Sequence, residues 1–352
     1  MELRIQEVAL RLTQPMRAAW GEVSERRMLL VELEDHDGVV GRGEAAPLEP
    51  YDGVPLDRCR DALNACARAI RELGPHATGA EALERCQQAT TVPHALAAID
   101  MALWDRASQR EGRPIAAMLA GEASRTVPVN ATIGVYDLET TVEVANAAAD
   151  AGFETVKLKV GLPDDEARLA AVREAVGPDV AIRLDANGAW TDGDAVRAIE
   201  RLSPFGIELV EEPVHGIDGL RAVRDSVFVR VAMDETADRP GAIASGAADA
   251  IVLKVGRSGG IGGILAHAAL ARTTRADVLL ASTWDGPLGV AAAVHAAAAL
   301  RLRDASGLAT LPQFDPEALD AVEIAGETLG ALAARLMARD GMIVVPQTHG
   351  LV

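Results

Sequence analysis

The sequence predicts an α/β protein in which a closed barrel of strands and helices follows an α+β domain. Two observations support this prediction. After residue 124, short apolar runs alternate repeatedly with longer amphipathic stretches, whereas residues 1–124 mix strand-like and helix-like patterns in another order. The chain has 352 residues, which is enough for two domains or for one barrel with an additional domain.

The first 124 residues combine antiparallel strands with helices. Alternating apolar residues predict a hairpin built from three runs: 3–10, 28–33 and 39–40. Apolar residues at helical spacing fill two further stretches: 57–88 and 94–109. Pro93 stands where the second of these helices could begin. Residues 1–124 are therefore predicted to form an α+β domain.

Eight apolar runs follow, and each has the length of a buried strand. They are residues 127–133, 155–160, 181–185, 207–211, 229–234, 250–254, 277–282 and, more weakly, 307–311. Eight strands that alternate with helices favour a closed barrel over an open sheet, and no GxGxxG motif follows the first of them. Residues after 314 do not continue the alternation, and their short strand at 342–345 is expected to return to the N-terminal domain.

Composition excludes several kinds of partner. The net charge is -18 with no Lys/Arg run, which argues against nucleic acid as a partner. The apolar run at 290–300 is too short to span a bilayer, so no membrane partner is expected. Three cysteines without a CxxC pair, and a start without a signal-peptide pattern, predict a cytoplasmic protein without zinc.

Charged and amide side chains stand at the ends of five consecutive predicted strands. These residues are Lys157, Lys159, Asp185, Asn187, Glu211, Asp234, Glu235 and Lys254. From Lys159 through Asp185, Glu211 and Asp234 to Lys254, the intervals are 26, 26, 23 and 20 residues, close to the roughly 30 residues of one barrel unit. The carboxyl ends of barrel strands meet at one rim, so these side chains are expected to converge where barrel enzymes act.

Three of these strands end with a carboxylate: Asp185, Glu211 and Asp234. If they converge, they repel one another by roughly 1 to 4 kcal/mol per pair, so a cation is expected between them. An all-oxygen set with room for water and substrate suits Mg²⁺ better than Ca²⁺.

Two lysines flank the carboxylates in chain order, Lys159 before them and Lys254 after them, and could approach a substrate from opposite faces. A lysine beside a metal ion and a second ammonium group loses its proton more easily, so it can act as a general base. A metal bound to a substrate carboxylate would stabilise the enediolate that forms when the neighbouring proton leaves. The expected substrate is therefore a small carboxylate.

Five segments in this order resemble the muconate lactonizing branch of the enolase superfamily: Lys157-Leu-Lys159, Asp185-Ala-Asn-Gly-Ala-Trp190, Val210-Glu-Glu-Pro213, Asp234-Glu-Thr236 and Leu253-Lys-Val-Gly-Arg-Ser-Gly-Gly260. Residues 41–48 and 98–105 look like the capping-domain and junction segments of that branch. The resemblance covers nearly the whole chain. Enolase-superfamily sites use a lysine or histidine base together with Mg²⁺.

The resemblance implies a modified TIM barrel, (β/α)7β, over residues 125–313. Residues 1–124 and the returning segment 314–352 would form the capping domain. It also implies Asp185, Glu211 and Asp234 as ligands of Mg²⁺, which Mn²⁺ could replace, and Lys159 and Lys254 as the catalytic pair. Lys157, Asn187 and Glu235 would lie directly beside them. The resemblance is compatible with a homo-oligomer.

Substrate contacts are expected from two regions. Loops at 16–25 and 48–54 would close over the substrate, and the first contains Arg17 and Trp20. The end of the seventh strand contributes four further candidates: Ser282, Thr283, Trp284 and Asp285.

The resemblance leaves four reactions open, because the same lysines support each of them. Residues 281–289, 307–310 and 127–132 look most like o-succinylbenzoate synthases, so the expected function is a carbon-oxygen lyase of menaquinone biosynthesis. The alternatives are an N-acylamino acid racemase, a dipeptide epimerase and a muconate-type cycloisomerase. Residues 308–313 lack the Asp-x-Asp pair that is typical of dipeptide epimerases, which counts against that reading.

Other functional classes fit less well. The glycines at 259–263 lack the Lys-Ser/Thr of a phosphate-binding loop, and no Gly-x-Ser-x-Gly elbow surrounds Ser282. A non-catalytic barrel would be expected to have lost one of the two lysines or three carboxylates, and all five are present.

Overall fold

The computed structural model describes residues 1–18, 21–74 and 77–352, and only the backbone of residues 17 and 18. The chain begins with an antiparallel sheet in the order β1 (Glu2–Ala18), β2 (Gly21–Glu34) and β3 (Val40–Ala45). Alternate residues of β2, including Leu29, Val31 and Leu33, are buried beneath the helices of this domain. The antiparallel strands predicted for this region are therefore present, although β1 and β2 are longer than the apolar runs from which they were predicted.

Five helices follow this sheet: α1 (Glu49–Asp52), α2 (Leu56–Arg71), α3 (Gly79–Ala89), α4 (Pro93–Glu111) and α5 (Ile115–Leu119). Of these, α2 and α4 pack directly on it. The helical stretch predicted over 57–88 is divided, because Thr78 and Glu81 form a reciprocal capping box that begins α3 as a new helix. Helix α4 lies directly against β3, where a Cβ atom at Gly43 would be 2.1 Å from the carbonyl oxygen of Ala98.

The second half of the chain forms a curled parallel sheet of seven strands. In order they are β5 (Ala131–Ile133), β6 (Thr155–Lys159), β7 (Ala181–Asp185), β8 (Ile207–Glu211), β9 (Arg230–Met233), β10 (Ala250–Leu253) and β11 (Asp277–Leu280). A short strand, β4 (Thr126–Pro128), precedes them. The predicted α/β barrel with an N-terminal capping domain is confirmed, and its sheet is a curled parallel sheet of seven strands.

The eighth predicted strand, 307–311, does not form. Instead, Ser306 bridges Val129 and Gly307 bridges Ala281, both in parallel, so two residues join the edges of the sheet. The Asn130 N–H donates to the Ser306 carbonyl at 3.0 Å, and the Gly307 N–H donates to the Leu280 carbonyl at 2.8 Å. The chain then turns into a 3-10 helix at Leu311–Gln313, where Pro312 has no N–H to continue a ladder. We call Ser306 and Gly307 the seam.

Helices cover the outside of the sheet: α6 (Leu138–Asp150), α7 (Asp165–Val176), α8 (Asp192–Leu202), α9 (Ile217–Arg224), α10 (Val255–Ser258), α11 (Ile261–Thr273) and α12 (Pro287–Leu300). Strand β9 is followed only by a 3-10 helix, Glu235–Asp238, and by turns. In the described parts of the chain, no helix combines the length and the apolar character needed to cross a membrane.

The C-terminal region contains α13 (Pro316–Asp320), β12 (Glu323–Ile324), β13 (Glu327–Thr328), α14 (Leu329–Arg335) and β14 (Met342–Val344). Part of it contacts the N-terminal domain, since the Asp315 N–H donates to the Arg11 carbonyl at 2.9 Å. The last strand, β14, pairs with β4 inside the predicted barrel segment, and the expectation that residues 314–352 return to the N-terminal domain stays a prediction. The domain boundaries at 124 and 313 stay predictions.

Buried His295 fastens the chain terminus to α12. Its Nδ1 accepts from the Ala116 N–H at 3.2 Å and its Nε2 lies 2.9 Å from the Leu351 carbonyl, which requires the neutral ring with its proton on Nε2. Burial lowers the pKa of His295 from 6.5 to about 4. Because the folded pKa is depressed, its contribution to stability is complete above pH 6.5 and is lost as the pH falls toward 4.

We therefore expect His295 to contribute about 3 kcal/mol to the loss of unfolding free energy between pH 7 and pH 4. Urea unfolding of the native chain and of His295→Gln at both pH values measures this contribution, because glutamine keeps a donor and an acceptor but does not titrate. Equal pH dependence of the two proteins would contradict the assignment.

Candidate active site

The register of the parallel strands places the predicted site residues at one rim. Lys159 of β6 pairs with Asp185 of β7, which pairs with Glu211 of β8. Asp234 directly follows β9, and Lys254 directly follows β10. All five are at most 8% exposed. Because parallel strands end at the same edge, the residues predicted from their spacing lie together in the fold.

Two lysines of β6 share the carboxylate of Asp185. The Lys159 Nζ lies 2.6 Å from Asp185 Oδ2 and 2.7 Å from Asn187 Oδ1. The Lys157 Nζ lies 2.8 Å from the same Asp185 oxygen and 2.7 Å from Glu211 Oε1. Burial alone would raise the pKa of Asp185, but the two ammonium groups outweigh it and hold this pKa well below its usual range.

Lys254 has partners from both domains. It is ion-paired with Asp234, and its Nζ also donates to the Tyr51 hydroxyl at 2.7 Å. The Tyr51 hydroxyl donates to Asp234 Oδ2 at 2.9 Å and accepts from Arg257 Nη1 at 2.7 Å. Burial acts against ionisation of Asp234, yet Lys254 and Arg257 lower its pKa to about 2. Burial and the charge of Asp234 raise the pKa of Tyr51, so its hydroxyl keeps its proton.

Sequence reasoning did not single out Tyr51 and Arg257. Tyr51 lies within the predicted closing loop at 48–54, which pointed to its segment but not to the side chain. Arg257 stands three residues after Lys254 in a recognised motif, so helical spacing could have placed it beside that lysine.

Of the three predicted metal ligands, Glu211 is the one whose charge the neighbouring cations offset least. Burial and the charges of Asp185 and Asp234, partly countered by Lys157, raise the pKa of Glu211 to about 8. Such a buried group of carboxylates, with no sulfur or nitrogen ligand among them, fits a hard divalent cation of the size and preferences of Mg²⁺.

A second, more compact group of side chains lies beside this one. The ligand atoms of Glu212, His215 and Glu235 fall within 4.8 Å of one another. Glu212 is already used, because it accepts from the Asp234 N–H at 2.8 Å and from the Thr236 N–H at 3.0 Å and contacts His215 at 3.0 Å. These bonds fasten the turn after β9, and we assign no cation to this group.

One small cavity, of about 40 Å³, lies between the lysines and the seam. Its charged half is formed by the site residues already described. Its other half is lined by Thr132, Ala281, Ser282, Thr283, Trp284, Gly307 and Thr310. Three predicted substrate contacts, Ser282, Thr283 and Trp284, therefore line the cavity.

A fourth predicted contact, Asp285, does not line the cavity. Asp285 Oδ2 instead accepts from the Thr283 N–H at 3.4 Å. Trp20 and the side chain of Arg17 lie outside the described residues.

Trp284 adopts a left-handed backbone conformation, with φ at +52°, which a bulky residue reaches only at a cost of about 1 to 3 kcal/mol. The fully buried Arg26 holds it there by donating to the Trp284 carbonyl at 3.2 Å. Arg26 also donates to the carbonyls of Ala46 and Pro47, so the N-terminal domain fixes one wall of the cavity.

Lysine is rare in this chain. The sequence contains only three lysines, Lys157, Lys159 and Lys254, and all three line the cavity. Lys159 and Lys254 follow strands β6 and β10, with the carboxylates of the three intervening strands between them. Two amines on different sides of one buried cavity can take a proton from a substrate and return one to it.

Comparison with known proteins identifies the family. The model described as the mandelate racemase / muconate lactonizing enzyme N-terminal domain matches residues 1–120, and that described as enolase C-terminal domain-like matches residues 140–351. The L-Ala-D/L-Glu epimerase of Bacillus subtilis is 33% identical over 314 residues, covering 86% of this chain and 85% of that protein. The o-succinylbenzoate synthase of Thermobifida fusca is 40% identical over 205 residues, covering 55% of this chain and 63% of that protein.

Solved structures agree with these matches. The dipeptide epimerase from Enterococcus faecalis V583, in complex with Mg and the dipeptide L-Leu-L-Tyr, superimposes with a TM-score of 0.88 at 28% identity, covering 99% of this chain and 98% of that one. Together with the order of the strand-end residues, these matches show that the chain belongs to the mandelate racemase / muconate lactonizing enzyme family of the enolase superfamily.

Proposed function

We propose that this protein is a Mg²⁺-dependent isomerase that inverts the configuration of the carbon next to a substrate carboxylate. The observation that carries the proposal is the pair of lysines, Lys159 and Lys254, which line one cavity from β6 and β10. Inversion needs one group that removes a proton from one face and a second group that delivers a proton to the other face.

The metal would be held by Asp185, Glu211 and Asp234, and Mn²⁺ could take its place. When bound, it would stabilise the negative charge that develops on the substrate carboxylate as the neighbouring proton leaves. Lys157 contacts Asp185 and Glu211, and so holds both carboxylates toward the same point.

The protein side chains carry the proton transfers. In one direction, neutral Lys159 accepts the α-proton at Nζ, and the C–H electron pair stays on the substrate as an enediolate. The ammonium group of Lys254 then gives its proton to the opposite face of the α-carbon. The reverse direction exchanges the two roles. Tyr51 and Trp284 are among the walls of the cavity, and these two lysines and the carboxylates around it are buried, which limits the access of bulk water to the enediolate.

The proposed substrate is an amino acid whose nitrogen is part of an amide, as in a dipeptide or an N-acylamino acid. Support comes from the epimerases, which are similar over more than four fifths of the chain at 31–33% identity. The N-succinyl-L-Arg/Lys racemase of Bacillus cereus is also similar, at 27% identity over 74% of the chain.

Dehydration to o-succinylbenzoate, the reaction expected from the seventh-strand segment, is the second candidate. The similarity to the Thermobifida fusca synthase supports it, although that similarity covers only 55% of this chain. In a dehydration, one lysine can make the proton transfers while the other stabilises the enediolate, so the same site residues would serve.

The test is proton exchange in D₂O with Mg²⁺, followed by NMR and chiral chromatography. The panel contains dipeptides, N-succinylamino acids, the o-succinylbenzoate precursor and muconate. We expect α-deuterium incorporation with inversion for at least one amide-linked amino acid. Formation of o-succinylbenzoate without inversion of any amino acid would replace the proposal by the lyase, and lack of exchange across the panel would reject both.

A further inference from the structure

We infer that Tyr51 is a positioning residue for Lys254 but not for Lys159, so that the two faces of the cavity are completed by different domains. On this view the barrel alone orients Lys159, and the N-terminal domain must dock to orient Lys254. The inference rests on the proposed function in one respect only, namely that both lysines transfer protons.

Lys254 is held from the N-terminal domain. Its Nζ donates to the Tyr51 hydroxyl at 2.7 Å and lies 4.9 Å from the centre of the Tyr51 ring. The same hydroxyl bonds Asp234 and Arg257, so it cannot move without disturbing all three charged groups. A hydrogen bond and a ring contact together restrict the ammonium group to one direction.

In the described parts of the chain, barrel residues hold Lys159. Its partners are Asp185, at 2.6 Å, and Asn187, at 2.7 Å, and both belong to the end of β7. Asn187 is itself fixed, since its Nδ2 donates to Glu235 Oε1 at 2.8 Å and its backbone N–H donates to Asp185 at 3.0 Å. The contacts described for Lys159 include none with residues 1–124.

The short segment that carries Tyr51 is anchored independently of the site. Asp52 accepts from the backbone N–H groups of Leu48 and Val54 at 2.7 and 2.8 Å, and His94 of α4 lies 3.2 Å from it. His94 packs on Gly256, where a Cβ atom would be 2.8 Å from the imidazole ring. The Asp52–His94 pair thus seats the Tyr51 segment against α10, the short helix that follows Lys254.

This asymmetry has a kinetic consequence. After Lys159 removes a proton in D₂O, the enediolate can regain a deuteron from Lys159 with retention or from Lys254 with inversion. If Lys254 is poorly oriented, retention increases relative to inversion. Starting from the other enantiomer, Lys254 removes the proton slowly, and Lys159 then captures the enediolate efficiently, so inversion increases relative to retention.

Tyr51→Phe is the first test, because it removes the hydroxyl and keeps the ring. Each enantiomer of the best panel substrate is incubated separately in D₂O, and the inversion-to-retention ratio is measured at early times. We expect this ratio to fall by about tenfold from one enantiomer and to rise from the other, as the loss of one hydrogen bond to a charged group would produce. Asn187→Ala is the matched variant, because it removes a partner of Lys159 on the opposite face. It should raise the inversion-to-retention ratio from the first enantiomer and lower it from the other.

If Tyr51→Phe changed the inversion-to-retention ratio in the same direction and by the same factor from both enantiomers, the role of Tyr51 would be merely structural and the inference would be overturned. Unchanged ratios would also overturn it. Asp52→Asn provides a second variant that leaves every site residue in place. It should shift the ratios in the same directions as Tyr51→Phe by loosening the segment, and shifts in the opposite directions would count against the inference.

A second readout does not depend on turnover. With ¹³C-labelled lysine the chain gives only three lysine signals, which Lys→Arg variants assign. We expect Tyr51→Phe to move the Lys254 signal and leave the Lys159 signal in place. If only the Lys254 signal moved in Tyr51→Phe while the native chain exchanged no substrate of the panel, the proposed function would be rejected and the contact between Tyr51 and Lys254 would stand. Equal shifts of both signals would reject the inference.

Discussion

Replacing Lys159 or Lys254 by alanine should lower the rate of inversion by roughly 10² to 10⁴-fold, the usual contribution of a positioned general acid or base. Each of the two lysines is assigned to one face of the substrate. The third lysine of the chain, Lys157, cannot replace either of them, because it is ion-paired with Asp185 and Glu211. Each variant should also keep exchange with retention from one enantiomer only, since the remaining lysine can still remove and return a proton on its own face. Chiral chromatography and NMR in D₂O measure both rates.

Binding of Mg²⁺, measured by calorimetry, is the control for these variants, since neither lysine is assigned as a ligand. A large loss of Mg²⁺ affinity would mean that the substitution had disturbed the carboxylates. Inversion at a near-native rate in either variant would contradict the two-lysine mechanism. If retention exchange persisted from both enantiomers in a single variant, the assignment of one lysine to each face would also be wrong.

Removal of divalent cations by a chelator should abolish exchange, and Mg²⁺ or Mn²⁺ should restore it. The same binding should stabilise the fold, because a cation relieves the repulsion among Asp185, Glu211 and Asp234. At a Mg²⁺ concentration about 100 times its Kd, the expected stabilisation is about 2.7 kcal/mol. For a chain of 352 residues this corresponds to a rise in Tm of about 3 to 4 °C. Calorimetric unfolding with and without Mg²⁺ measures this shift independently of activity.

Glu211→Gln is the matched variant for this experiment. It keeps the size of the side chain and removes the carboxylate whose pKa burial raises to about 8. The metal-free variant should fold, and it should lose most of the Mg²⁺-dependent rise in Tm. A rise as large as that of the native chain would show that the cation binds elsewhere, and the neighbouring group of Glu212, His215 and Glu235 would then have to be examined.

The charged half of the site could be predicted from the sequence because its residues stand at the ends of apolar runs that recur at regular intervals. Asp185 and Glu211 each end an apolar run, and parallel strands of similar length must bring such ends to one rim. Lys159 and Lys254 follow from the same rule. No knowledge of loop conformation was needed for these residues.

The parts that were not predicted depend on contacts between segments that are distant in sequence. Tyr51 reaches Lys254 across 203 residues, and nothing in its local pattern records that contact. The pairing of β14 with β4 was missed for the same reason, since a three-residue strand can add to any available edge.

The predicted closing loop at 48–54 contains Tyr51, whose hydroxyl bonds Lys254 and Asp234. Trp20, in the other predicted closing loop, lies outside the described residues. The choice among the four reactions was also beyond the sequence, because the lysines and carboxylates are common to all of them and the seventh-strand segment is short.

The seam joins the two edges of the barrel sheet through two residues. Between β6 and β9 the neighbouring strands are joined by ladders of three to five residue pairs, whereas in the described residues Ser306 and Gly307 connect the first and seventh strands. Thr310, Ser282 and Thr283 stand beside that narrow join, on the half of the cavity without lysines or carboxylates. We therefore expect substitutions of these three residues to change which substrate side chain the cavity accepts, and to leave the lysines and carboxylates of the opposite side in place.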